Sequence, residues 1–126
     1  MLAYNFLAVA IGGALGAISR YQFSLWLVSS PFTFPLATLV VNVLGSLLFG
    51  ALFYLLVEKS LLSETWRLLL MVGFLGAFTT FSTFSYEVFE LFLKEQFFYA
   101  FILSLLSVLL SFFALALAYY AAKAIF

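Results

Sequence analysis

Neither cysteine nor histidine occurs in the chain, and the two absences remove a large part of protein chemistry. Without thiols there are no disulfides, thiolate metal sites or cysteine nucleophiles, and without imidazole there is no Ser–His dyad and no histidine proton relay. Nor can cysteine usage report a redox compartment here. Charge is almost as scarce: five Lys/Arg and five Asp/Glu in 126 residues, 8% of the chain and formally neutral. So sparse and balanced a set offers no basic field for nucleic acid and no polybasic surface for anionic lipid.

What remains is apolar. Hydrophobic residues make up 67% of the chain, against roughly 45–50% apolar and about 25% charged residues in soluble domains, and a soluble fold of this size has nowhere to bury that surface. A hydrocarbon core about 30 Å thick takes about 20 helical residues at 1.5 Å each. The apolar runs at about 3–28, 34–57, 66–90 and 97–122 therefore read as four transmembrane helices filling a single transmembrane domain. The first run lacks a basic leader and is expected to be retained rather than cleaved. Ser29, Ser30 and Pro31 punctuate the first joint, and Glu58, Lys59 and Ser60 close the second run. Short joints make neighbouring spans antiparallel. Trp26, Trp66, Tyr4, Tyr54, Tyr99, Tyr119 and Tyr120 fall near span ends, where amphipathic rings anchor at headgroup depth.

Lipid gives apolar helices no hydrophobic reason to associate, so small residues mark packing faces. Gly12 and Gly16 have GxxxG spacing, Ser46 and Gly50 repeat it in span two, and Ser104, Ser107, Ser111, Ala114, Ala118 and Ala121 extend along span four. These are expected to form one seam; its serines can also line a polar track.

Polar groups deep in a bilayer are functional candidates by default. Thr38 and Asn42 stand one turn apart on one face of span two, continued by Gly45 and Ser46. Interhelical hydrogen bonding, at about 1 kcal/mol or less, explains them as well as a site does. Residues 73–85 of span three place the hydroxyls of Thr79, Thr80, Ser82, Thr83 and Ser85 among phenylalanines behind Gly73 and Gly76. Glycine and hydroxyl back-bonding both loosen the helical ladder, so a broken third helix near Gly76 to Thr80 is expected to present carbonyl oxygens mid-membrane, where they attract cations. Phe81 and Phe84 share a face, and their positive ring edges suit a weakly polarisable anion; lipid contact is the ordinary alternative for any phenylalanine. Arg20, near the far end of span one, either snorkels to the headgroups or hydrogen-bonds the broken-helix carbonyls in a structural role. Glu87 and Glu90 read as vestibule or interface charges close to water.

Taken together, Gly12-Gly13-x-x-Gly16-Ala17-x-x-Arg20, Thr38-x-Val-Val-Asn42-x-x-Gly45 and the span-three sequence from Gly73 to Ser85 resemble the Fluc or CrcB family of fluoride channels over the whole chain. The span-three element is the specific one, since GxxxG alone occurs in many membrane helices. The resemblance implies an all-α membrane protein with a broken third helix that assembles as an antiparallel, dual-topology homodimer in a prokaryotic plasma (inner) membrane. It would export cytoplasmic fluoride by passive conduction around a central structural sodium ion. Carried over, the sodium ligands are the backbone carbonyls of Gly76 and Thr79, Phe81 and Phe84 form the aromatic track, Asn42 supplies the pore amide, and Thr38, Ser107 and Ser111 line the route. Where some relatives have a tyrosine one turn before the first pore serine, this chain has Leu103.

With a cytoplasmic N-terminus, Lys59, Arg67 and Lys123 lie inside and Arg20 and Lys94 outside, a bias too small to set one orientation. A small proton-coupled multidrug exporter is the nearest rival, but it needs an acid deep in the first span, which has none. A non-transporting scaffold leaves the Thr79–Ser85 hydroxyls without a purpose. An enzyme is the least favoured class.

Overall fold

The computed structural model describes residues 2–28 and 35–126, so the punctuation at Ser29, Ser30 and Pro31 and the expected start of span two at Phe34 lie outside the described residues. Among the described residues every element of regular secondary structure is a helix. Four helices are long and apolar enough to cross a membrane: Leu2–Leu27, Leu36–Glu58, Glu64–Leu93 and Phe97–Ile125. Runs of this length satisfy their own backbone hydrogen bonds only as helices, because hydrocarbon offers no partners.

Helical geometry outlasts the apolar runs at several ends. Span three starts at Glu64 rather than Trp66, with Ser63 extended before it and the Glu64 carboxylate accepting from Arg67 Nε at 2.8 Å. An acid in a first turn suits the helix dipole, so charge there extends the helix instead of stopping it. The same span continues past Glu90 to Leu93, and Lys94 Nζ reaches Glu90 Oε1 at 3.1 Å. Span four passes Lys123 to end at Ile125. The turns close through Ser60 and Glu95, both in the left-handed region at φ 51° and 57°.

Two stretches leave α geometry for the wider π turn, Phe53–Glu58 in span two and Leu68–Leu75 in span three. The second lies directly against span one. A methyl on Gly12 would overlap the Leu69 carbonyl, one on Gly16 the Phe74 carbonyl, and one on Gly73 would sit 2.7 Å from the Val9 carbonyl. Gly50 meets the Leu115 carbonyl of span four in the same way. The single seam expected from sequence is therefore two separate contacts, span one on span three and span two on span four. Ser46, Ser107 and Ser111 face a groove instead, and Ala121 is exposed while Ala122 is buried.

Two apolar clusters flank this arrangement. Val41, Leu75 and Phe78 pack with Phe23, Leu52 and Phe74, joining spans one, two and three. Leu39, Leu91, Ala100 and Leu103 pack with Val43, Phe84, Val88 and Leu106, joining the later half of span three to spans two and four. Leu103, the position where some relatives carry tyrosine, is thus wholly buried in this core. At one end of the bundle Tyr119 donates to Glu58 Oε1 at 2.8 Å and meets Tyr54 edge-on at 5.8 Å, tying span two to span four.

Candidate functional site

Helical geometry is interrupted in the middle of span three. Its helix ends at Phe78, Thr79 (φ −82°, ψ 158°) and Thr80 (φ −153°, ψ 125°) are extended, and a new helix runs Phe81–Leu93. Each polar group at this junction has a role. Thr80 caps the new helix, its Oγ1 accepting from the Thr83 amide at 3.3 Å, as an N-cap hydroxyl does. Thr79 closes the old helix, its amide donating to the Leu75 carbonyl at 3.1 Å and its hydroxyl donating to the same oxygen at 2.8 Å. Beyond Leu75, the carbonyls of Gly76, Ala77 and Phe78 are the end carbonyls of that helix, the groups a helix terminus leaves without intrahelical donors.

Asn42 of span two holds the junction from outside. Its Nδ2 donates to the Thr80 carbonyl at 3.0 Å and its Oδ1 accepts from the Thr80 amide at 2.8 Å, so one side chain satisfies both backbone groups of an extended residue. That leaves a single amide hydrogen for any other partner. Phe78 fixes the preceding turn: only 3% exposed, it stacks on Phe74 at 5.7 Å and takes the edge of Phe23 at 5.7 Å.

A groove of about 580 Å³ opens beside the junction between spans two, three and four. Asn42, Gly76, Thr79, Phe81, Phe84, Ser107 and Ser111 all line it, so seven of the nine residues singled out from sequence share one cavity. The Phe81 and Phe84 rings are 5.6 Å apart and tilted by 49°. Their settings differ, since Phe84 packs on the buried cluster while Phe81 is 79% exposed. Ser107 is buried, and its hydroxyl has no protein partner among the described residues. The groove is therefore lined by the Phe81 and Phe84 rings, the hydroxyl residues Thr79, Ser107 and Ser111, and Gly76 near the end of the upstream helix.

Thr38 and Arg20 lie elsewhere. Both line a smaller cavity of about 250 Å³ with Ser24, Thr80 and Thr83. No hydrogen bond joins the Arg20 guanidinium to the junction carbonyls among the described residues; the Arg20 carbonyl accepts from Ser24 Oγ at 3.0 Å. Thr38 donates to Glu87 Oε1 at 2.6 Å. Glu87 departs from its sequence reading: it is half-buried inside span three, with Oε2 buried and unpartnered among the described residues. The departure arises because the helix continues three residues past the expected end at residue 90, and because span two brings Thr38 to the carboxylate. The junction role of Thr80 and the packing of Phe78 also went unread, although Asn42 one turn below Gly45 and Ser46 already marked a polar face without a named partner.

The family model described as "CrcB-like protein, Camphor Resistance (CrcB)" matches residues 7–119. The chain is 58% identical over 81 residues to a "Fluoride-specific ion channel FluC" of Saccharophagus degradans, covering 64% of this chain and 61% of that one. It is 48% identical over 109 residues to a protein of that name from Hahella chejuensis, covering 86% of each. A "Fluoride-specific ion channel FluC 1" of Methanosarcina acetivorans is 52% identical over 88 residues, 70% of this chain and 67% of the relative.

Proposed function

Because the chain belongs to the CrcB family, we propose that it conducts fluoride passively through a membrane, two copies pairing in antiparallel orientation and each groove forming one wall of a pathway. One observation carries this reading: the groove gathers Asn42, Phe81, Phe84, Ser107 and Ser111 beside a break in span three. Fluoride is small and strongly hydrated, so a path for it must replace water with closely spaced donors. Hydroxyls and the positive edges of phenyl rings do this, and they give larger, softer anions little.

Phe81 supports the paired arrangement. In this reading a ring 79% exposed in the same groove as Ser107 and Ser111 is half of a passage, and a second copy would supply the other half. Antiparallel pairing agrees with the near-absence of orientation signal in the charges. In this reading the carbonyls of Gly76 and Thr79 hold a structural sodium ion; they are hard oxygen donors at a helix end, the chemistry such a cation takes. The membrane is the plasma membrane, and the direction of flow follows the fluoride gradient.

Fluoride efflux from liposomes containing the purified protein, with chloride as control, tests the proposal. Rapid fluoride release without chloride release is expected. Efflux that requires an opposing proton gradient would instead make the protein an exporter, and no efflux would make it a scaffold. For the pairing, two lysines added to the 58–64 loop should force one orientation and silence the channel. A second variant with lysines beside Lys94 should be silent alone and active when co-expressed with the first.

A further inference from the structure

We propose that Gly45 is a positioning residue for the break, its bare α-carbon seating the Thr79 methyl and so fixing where the Thr79 carbonyl points; this rests on the cation reading just given. The contact is specific. A methyl added at Gly45 would overlap Thr79 Cγ2, while the next atoms, Phe78 Cδ1 at 3.4 Å and Thr79 Cβ at 3.7 Å, stay at ordinary or nearly ordinary distance. One methyl group is therefore the whole of the conflict.

That methyl cannot turn aside freely. Threonine is stiff about χ1, and here the rotamer is held by the Thr79 hydroxyl donating to the Leu75 carbonyl at 2.8 Å. Rotating Cγ2 away would give up that bond, so crowding at Gly45 is passed to the Thr79 backbone. The neighbouring residues block easy relief: Thr80 is pinned at both backbone groups by Asn42, and Phe78 is wedged between Phe74 and Phe23. Asn42 and Gly45 are three residues apart on one face of span two, so a single helix face sets consecutive residues of the break. Asn42 fixes Thr80 by hydrogen bonds, and Gly45 fixes Thr79 by allowing contact.

The test is steric complementation. Gly45→Ala restores the overlap, and Thr79→Ser removes Cγ2 while keeping the hydroxyl and the carbonyl. Fluoride efflux is measured against sodium concentration for the wild type, both single variants and the double variant. Groups that orient ligands typically change affinity or activity by about 10- to 100-fold when altered, so Gly45→Ala should raise the sodium concentration for half-maximal flux at least about tenfold. Thr79→Ser sets its own baseline, since Thr79 belongs to the proposed cation site, and the double variant should return to within about threefold of that baseline. A merely structural role for Gly45 would lower the amount of folded protein without moving the sodium midpoint.

If Gly45→Ala does not assemble, a double variant that assembles and conducts supports the proposal equally. A double variant as impaired as Gly45→Ala overturns it, as does a Gly45→Ala channel with the wild-type sodium midpoint. Wild-type flux indifferent to sodium overturns the cation reading and this role with it, whereas a wild type without fluoride flux overturns the channel itself.

Discussion

Upstream of Thr79 the third span lies backbone to backbone against span one; downstream of Thr80 it is held by side chains. In the first half Gly12, Gly16 and Gly73 remove every atom between the two helices, and Leu68–Leu75 takes the wider π turn where they meet. In the second half Asn42 holds Thr80, Thr38 holds Glu87, and Phe84, Val88 and Leu91 pack into an apolar cluster. Backbone contacts of the first kind admit no adjustment, because carbonyls cannot rotate away. Side-chain contacts of the second kind can be altered one at a time, which suits the half that carries the ring pair and the hydroxyls.

The difference is testable, most strongly in the glycine half. Gly16→Ala should destabilise the purified protein by about 3 kcal/mol, the upper range for overpacking a tight contact. Gly13→Ala, where the nearest neighbouring atom is 4.0 Å from an added methyl, should change the melting temperature little. Equal effects at the two positions would break the comparison. Next in size is Asn42→Leu, which strands two backbone groups of Thr80; about 2 kcal/mol is expected from the unpaired groups, with loss of fluoride flux in liposomes. Third, Phe84→Ile should lower both flux and stability, the latter by about 1 kcal/mol, because its ring is part of the core. Phe81→Ile should lower flux while leaving protomer stability unchanged, a separation read by pairing efflux with thermal melts. Smallest is Glu95→Gly in the turn after span three: relieving a left-handed φ at a non-glycine residue should stabilise by about 0.5 kcal/mol.

The four spans could be read directly, since uninterrupted apolar runs of that length have one solution in a bilayer. The neighbourhood of the junction was legible too: glycines followed by hydroxyls from Thr79 to Ser85 mark a weak ladder whatever surrounds it. What could not be read was which partner each element meets. GxxxG spacing says that Gly12 and Gly16 touch a helix, but the identity of that helix depends on how the other three are arranged. Asn42 likewise announces a hydrogen bond without naming Thr80, 38 residues away. Glu87 was misplaced because a carboxylate looks like a boundary in one dimension and becomes an interior group only when Thr38 is brought to it from span two.

The open side of the groove also bears on how the protein lives in dilute lipid. Hydrocarbon against the Ser111 hydroxyl and the Gly76 backbone, which line the open groove and are not buried, leaves polar groups without water, at a penalty of roughly a few kcal/mol each. A solitary protomer would carry that penalty for as long as it stayed solitary. The surface proposed to pass ions would then also be the surface that makes isolation unfavourable, so vesicles holding one copy each should lose folded protein faster than vesicles holding several.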